Sequence, residues 1–399
     1  MADTKNDKNF NSPALRFPGF TEPWKQYKLS DFLEFKNGLN PDAKRIGKPG
    51  IKFISVMDIL NAETIKYETI RGEVKATEKE ISEFSVGYGD ILFQRSSETL
   101  EDIGRANVYL DQRKAVFGGF VIRGKKIADY NPLFFRYNLL SPNTRRRIIP
   151  MGAGAQHFNI SQDGLKQVSL HIPINEEQQK IADLLQLLDE RIATQRRLIK
   201  DLEKLKSSII DKIFSNEDGK VVRYRDILEV STQRNDGKAD YRILSASQEL
   251  GMVERNSLDI DIKAEAKSIS TYKRVYPGDY VLHLRSFQGG LAFANVEGIC
   301  SPAYTILRPK KRLEYGYLKE YFNSSRFIRS LVLVTYGIRD GRSINVDEFL
   351  DMNISIHSIE KQAKIVKSQT MLSDKLRLER NILYHYEQQY FYLLKRLFI

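Results

Sequence analysis

Two short runs place the same chemistry at equivalent points of a repeated pattern. Gln94-Arg95-Ser96-Ser97 follows a strand-like run at Ile91, and Leu284-Arg285-Ser286-Phe287-Gln288-Gly289-Gly290 follows one at Tyr280. Arginine suits bidentate contact to guanine, glutamine and asparagine suit adenine, and serine hydroxyls suit phosphate. A second pair of loops runs from Gly152 to Asn159 and from Tyr336 to Asn345, with glycines that let the backbone approach a ligand closely. Lys44-Arg45, Arg145-Arg146-Arg147 and Lys310-Lys311-Arg312 add basic runs suited to phosphate. The candidate contacts are Arg95, Ser96, Ser97, Arg105, Gln156, His157, Lys44 and Arg45 in the first half. Those in the second half are Arg285, Ser286, Gln288, Tyr336, Arg339 and Arg342. Taken singly, each reads equally well as a solvated surface residue; recurrence in both halves raises the set above its members.

Catalytic patterns are missing. No G-x-x-x-x-G-K-[ST] phosphate loop occurs, and His157, His171, His283, His357 and His385 are scattered without zinc spacing. Gly87-Tyr88-Gly89-Asp90 and Pro277-Gly278-Asp279 read as a turn into a strand. Asn131-Pro132-Leu133-Phe134 lacks the second proline of the Asn-Pro-Pro-aromatic element with which methyltransferases engage an amino base, and a proline at a helix start accounts for it. Asp58 with Glu73-Val74-Lys75 has the residue types of a metal-dependent nuclease core, which chance supplies in a chain with 29% charged residues.

A net charge of +12 favours an anionic partner, nucleic acid before membrane, since no lipid-anchor motif stands out. The single cysteine, Cys300, excludes an internal disulfide and suits a reducing compartment. The polar start MADTKNDKNF is no signal peptide, and the longest aliphatic runs, such as Leu331 to Val334, fall far below the ~20 residues needed to span a bilayer. The expectation is a soluble cytoplasmic protein.

Two long helices must position the loops. From Gln178 to Ile213 there is no Gly or Pro, and Ile181, Leu185, Leu188, Ile192, Gln195, Ile199, Leu202, Lys206, Ile209 and Ile213 form one seam at heptad spacing. Adding 184 to each position gives Ile365, Gln369, Leu372, Leu376, Glu379, Leu383, Tyr386, Tyr390, Leu393 and Leu397, a second seam in the same register. Val168 to Ile172 followed by Gln178 and Ile181 matches Met352 to Ile356 followed by Gln362 and Ile365, and Lys28 to Glu34 is echoed by Arg223 to Glu229. The chain is an internal duplication of domain plus helix. The expected fold is α+β: a flexible lead-in over 1–22, a domain over 23–174 and a central helix over 175–215, then a domain over 216–358 and a C-terminal helix over 359–399. Strand-like pieces in the first domain are Ile51 to Val56, Asp90 to Phe93 and Ala115 to Ile122, with one helical piece after Asn131-Pro132.

Connectivity makes the helical pair antiparallel. A 36-residue helix is about 54 Å long, and a linker of about nine residues reaches at most ~32 Å. The second domain therefore sits near the far end. Its radius of gyration of about 14 Å is too small to carry the chain back, so the second helix returns alongside the first. A parallel pair would bring the polar seam residues Gln195 and Glu379 together, whereas the antiparallel register sets them opposite Leu383 and Ile199; connectivity is the harder constraint.

Nearly end to end, the chain resembles the DNA-specificity subunit of type I restriction-modification systems. The resemblance rests on the duplication, on Gly89-Asp90-Ile91-Leu92 with Gly278-Asp279-Tyr280-Val281, and on the glycine-rich loops before each helix. The Gln178/Ile181 and Gln362/Ile365 helix openings and the Leu15 to Phe20 stretch before Trp24 add to it. It implies two target-recognition domains, each reading one half of a bipartite asymmetric double-stranded DNA site, with the helical pair as a ruler. It also implies that catalysis resides in partners: two methyltransferase subunits using S-adenosylmethionine, and two motor-nuclease subunits using ATP and magnesium. Departures are Tyr386 and Tyr390 in the second seam, and Arg339 and Arg342 against Ala155 and Gln156, which stand against one-to-one transfer of contacts. A rod of about 54 Å spans at most about 16 base pairs at ~3.4 Å each. The other readings are a coiled-coil scaffold without DNA specificity and a self-contained modification enzyme.

Overall fold

A computed structural model describes the chain except for residues 1–10, 62, 216–218, 236–240, 248–249, 258–268, 284–285, 311–312 and 337–342. It forms two compact units, Met1–Gln195 with Ile382–Ile399, and Arg196–Asn381.

In the first unit, strands Leu33–Asn37, Val121–Lys126, Ile91–Gln94 and Ala106–Val108 lie side by side in that order, all antiparallel. Ile91, Leu92, Phe93 and Gln94 are all buried, because the strand is covered on both faces. Alternation sorts the side chains: Ile91 and Phe93 enter the main core, and Leu92 enters a second one with Ile54, Tyr109 and Phe117. That second core lies on a sheet ordered Glu73–Val74, Ile46–Ile54, Ala115–Phe117 and Ser85–Val86. The run expected as one strand from Ala115 to Ile122 is two, Ala115–Phe117 and Val121–Lys126, broken by a turn at Gly118-Gly119-Phe120. Helix Pro132–Leu140 opens with the Asn131 side chain accepting the Phe134 N–H, so the Asn-Pro pair caps a helix.

The second unit repeats the scheme. Leu228–Ser231, Thr305–Pro309, Tyr280–Leu282 and Ala292–Phe293 form the matching four-stranded sheet. Here Tyr280 and Leu282 enter one core and Val281 the other. Each central strand starts from a glycine at positive φ, Gly89 at 88° and Gly278 at 98°. A buried aspartate follows in each case. Asp90 accepts the Gly87 and Lys126 N–H groups, and Asp279 accepts the Tyr276 N–H and both arms of Arg308. Burial raises the pKa of the Asp90 carboxyl. The Gly-Asp pairs are thus turn formers.

The long helices are Asn175–Ser215, 41 residues, and Ile359–Arg396, 38 residues. Each is fastened by a repeated device. Gln178 accepts the Asn131 N–H and donates to the Pro173 carbonyl, while Gln362 accepts the Glu314 N–H and donates to the His357 carbonyl. The recurrence of glutamine at these two positions therefore has a structural cause.

Within each unit the helices run antiparallel. In the first, Asp189 bonds to Tyr390 and Arg191 lies over the Tyr386 ring, so numbers rise on one helix as they fall on the other. In the second, Glu203 pairs with Arg380 at 2.6 Å and Lys206 donates to Ser373 at 3.0 Å. Ile181, Leu185, Leu188, Ile192 and Ile199 are buried on the first helix, and Ile365, Leu376 and Leu393 on the second, with Leu397 buried just past its end. Gln195 and Glu379 are buried too, with Lys375 reaching Glu379. Leu202, Leu372, Leu383, Tyr386 and Tyr390 are half-buried. The seam departs from expectation at Ile209 and Ile213, which are half-buried, whereas Ile210 and Phe214 are buried. A straight helix drifts ~20° per heptad against a strict seven-residue repeat. The drift turns Phe214 into the aromatic core of the second unit, against Tyr317 and Tyr321.

The segment expected as a flexible lead-in has no helix or strand from Asn11 to Glu22, yet it is held. Leu15 N–H donates to the Arg396 carbonyl, Trp24 N–H to that of Asn11, and Arg16 pairs with Glu177. Among the described residues, no helix is long and apolar enough to cross a membrane.

Candidate nucleic-acid interface

In the first unit, six candidates share one end of the central strand. Arg95 directly follows Ile91–Gln94; its N–H donates to the Phe120 carbonyl at 2.9 Å, and its own carbonyl accepts the Ile160 N–H at 3.0 Å. Ile160 belongs to a hairpin of strands Gly152–Ala153 and Phe158–Ile160. Ser96 and Ser97 form the third strand of that small sheet, opposite Asn159 and Phe158. Ser96 donates from Oγ to Asn159 Oδ1, and Gln156 and His157 stand exposed at the hairpin tip. Arg95 Nη1 donates to the Gly119 carbonyl at 3.2 Å, and this is its one side-chain hydrogen bond among the described residues. Arg105 is exposed beside the same strand end, its carbonyl taking the Gln94 N–H and its guanidinium pairing with Asp102 at 2.7 Å. A positioned arginine, short hydroxyls and polar groups on a glycine hairpin match what base and phosphate contact requires.

Other candidates are engaged elsewhere. Lys44 is exposed, but Arg45 in the same turn grips both carboxylate oxygens of Glu80 and the Lys75 carbonyl. Arg145 donates to the carbonyls of Glu101 and Ile103, and burial pulls its pKa down to about 10. Arg147 bonds the Ser169 carbonyl, so Arg146 is the exposed member of that run. Asp58 accepts the N–H and hydroxyl of Ser55, and Glu73 pairs with Lys52, which gives both members of the nuclease-like pattern structural partners.

The Arg45–Glu80 pair makes a pH prediction. Hydrogen bonds from Arg45, then from the Thr77 backbone, lower the Glu80 carboxyl from 4.5 to about 2. A carboxyl lowered on folding contributes stability above its unfolded pKa and loses it as pH falls through the folded one. The Glu80 contribution should therefore be intact above about pH 4.5 and fade toward about 2. Carbon-detected NMR titration of Glu80 should give that low midpoint, returning toward 4.5 in Arg45→Ala.

In the second unit, Ser286 opens helix Ser286–Gly289 and is fully buried, its hydroxyl accepting the His283 N–H at 2.8 Å. It serves the turn. Gln288 is exposed, and exposed Tyr336 donates to Glu348 at 2.7 Å from the strand Thr335–Tyr336, which pairs with Ser343–Ile344 as the counterpart hairpin. Arg285, Arg339 and Arg342 lie outside the described residues, as do Lys311 and Arg312.

Sequence reasoning passed over Phe120. It sits beside Arg95 and is 69% exposed. The Gly118-Gly119 pair before it, a turn signal inside an apolar run, marked the place.

Residues 21–204 match the type I restriction modification DNA specificity domain. The match covers the first domain and most of the central helix, so this part of the chain is similar to that family of specificity subunits. It is 25% identical over 202 residues to a putative type I restriction enzyme MjaX specificity subunit of Methanocaldococcus jannaschii, covering 49% of this chain and 46% of the relative. The chain thus spans about half the length of the curated relative it matches. Among solved structures, the type I restriction-modification S subunit from M. genitalium has a TM-score of 0.57 at 14% identity, over 97% of this chain and 99% of that one. A structure described as the basis of complex assembly and conformational transition of the type I R-M system has a TM-score of 0.58 at 14% identity, over 93% and 96%. These likenesses establish the specificity-subunit fold, two repeated α+β domains with a pair of long antiparallel helices.

Proposed function

We propose that this chain reads DNA for a type I restriction-modification complex. Each domain reads one half of a bipartite asymmetric site through the major groove, and the helical pair sets the spacer and docks the methyltransferase subunits. The observation that carries the reading is the duplication itself. One sheet order, one Gly-Asp strand entry, one glutamine clamp and one hairpin ahead of a long helix occur twice in the chain. Two similar heads on one frame suit a site with two different halves, because only the loops need to differ. On this reading the chain is non-catalytic, methylation and cleavage reside in two methyltransferase and two motor-nuclease partners, and S-adenosylmethionine, ATP and magnesium act there.

Filter binding across a salt titration tests it against the scaffold reading. The assembled complex should bind its DNA with an affinity that falls steeply with salt, since phosphate neutralisation releases counterions; a salt-independent or absent interaction would favour the scaffold. Methylome sequencing of cells carrying the chain with its methyltransferase gives the site. Arg95→Ala should relax one position of one half-site by about 1–3 kcal/mol, roughly five- to 150-fold, and leave the other half untouched. Both half-sites retained in that variant would move the readout elsewhere in the first domain.

A further inference from the structure

Phe120 is placed where the core has no use for it. Its side chain is 69% exposed, more than any other phenylalanine among the described residues whose exposure is given. A lone surface aromatic needs no explanation, but this one is held by an unusually constrained turn. Gly118 N–H donates to the Ile54 carbonyl at 3.0 Å and Val121 N–H to the Gly118 carbonyl at 2.9 Å. A side chain at Gly118 would come within 2.8 Å of the Phe53 ring, and one at Gly119 would overlap the Asn40 amide. The backbone is therefore packed on both sides just before the ring.

The turn also fixes what stands next to it. Val121 pairs with Gln94 in the antiparallel ladder, and the Arg95 N–H to Phe120 carbonyl bond carries that ladder one step further. Residues directly opposite each other in an antiparallel pair project from the same face, with Cβ atoms about 4.5–5.5 Å apart. The Phe120 ring and the Arg95 guanidinium thus leave the sheet side by side, and Arg95 reaches over the turn to the Gly119 carbonyl.

We propose that Phe120 is a specificity-determining residue of the first reading head, its ring packing on the 5-methyl group of a thymine next to the base that Arg95 reads. This rests on the proposed DNA-reading function. The thymine methyl is the apolar group that base edges present in the major groove, and phenylalanine is one of the side chains suited to it. Other base edges would have to give up water to an apolar ring without a hydrogen bond in return.

The test uses the whole chain assembled with its methyltransferase partner, on duplexes carrying the mapped site, with each thymine of the first half-site replaced by uracil in turn. At one thymine, next to the position relaxed by Arg95→Ala, uracil should weaken binding by the wild-type complex about fourfold, the worth of one buried methyl group. In Phe120→Ala that loss should vanish, and Phe120→Leu should keep part of it. Because the ring is exposed, both variants should keep the wild-type thermal midpoint. Equal uracil penalties in wild type and Phe120→Ala at every position would overturn the proposal, as would a first half-site with no thymine beside the Arg95 position. Loss of methyltransferase assembly in Phe120→Ala, with the uracil effect unchanged, would assign the ring to a protein partner and overturn it likewise. If Arg95→Ala relaxes the half-site while the uracil effect ignores residue 120, this inference alone fails. If neither substitution touches the site, the DNA-reading assignment of this loop cluster fails with it.

Discussion

Insertion of four residues into both long helices, after Gln195 and after Asn381, should leave both half-sites unchanged and lengthen the spacer between them by one or two base pairs. Four residues add about 6 Å to a helix, at most two base-pair steps of ~3.4 Å. Rotation matters as much as length. Four residues advance a helix by about 400°, a net turn of about 40°, while two base pairs turn the duplex by roughly 70° at 10–10.5 per turn. Two heads on the lengthened frame remain nearly in phase with the grooves. Seven residues keep the heptad seam better but wind the helix by about −20° while adding ~10.5 Å, three base pairs or roughly 105° of DNA. The seven-residue variant should therefore lose modification of any site, although it folds. Methylome sequencing distinguishes the two, and an unchanged spacer in the four-residue variant would remove the ruler role from the helices. Inserting in both helices is essential, because Glu203–Arg380 and Lys206–Ser373 show that the pair is in register beyond those points.

The helices were legible because heptad spacing is a local, periodic signal that needs no partner to be seen. The central strands were legible for a related reason: Gly-Asp before an apolar run is punctuation that two halves share. What escaped depended on contacts between distant residues. Arg45 looks like a phosphate ligand until Glu80, 35 positions away, takes both of its arms. Ser286 looks like a contact until its hydroxyl is found capping His283 in a buried turn. The break after Phe117 is visible as Gly-Gly, but apolar neighbours on both sides hid it in a single strand. At the last two turns of the first helix, the seam yields to the aromatic core of the second unit, so Phe214 and not Ile213 is the more deeply buried residue. Local pattern fixes the elements, and tertiary packing decides which polar side chains remain at the surface for a ligand.

Arg16→Ala should destabilise the protein by about 3–5 kcal/mol, near the lower figure, through a contact that sequence pattern does not reveal. Glu177 lies in the first turn of the central helix with its side chain fully buried, and both of its oxygens accept from Arg16 at 2.8 Å, from Nε and Nη2. Removing the arginine leaves a buried carboxylate without its counter-charge, and that penalty exceeds the worth of the bridge itself. Two features moderate it. The carboxylate faces the positive end of a helix, which offsets part of the lost charge, and the Arg16 side chain is 14% exposed, so water can enter where it stood. The charge explanation has its own signature. Glu177→Gln alone removes the charge and keeps the shape, at a cost of about 1–2 kcal/mol for weakened hydrogen bonds. In the Arg16→Ala background the same change should restore stability, because it neutralises the stranded group. Urea denaturation of the four proteins gives the sign of the coupling. An Arg16→Ala loss that Glu177→Gln deepens would mean that Arg16 acts by packing the 11–22 segment onto Trp24 and the helix ends. In either case the loss should concentrate in the first unit, where the Leu15–Arg396 bond ties the same segment to the end of the second helix.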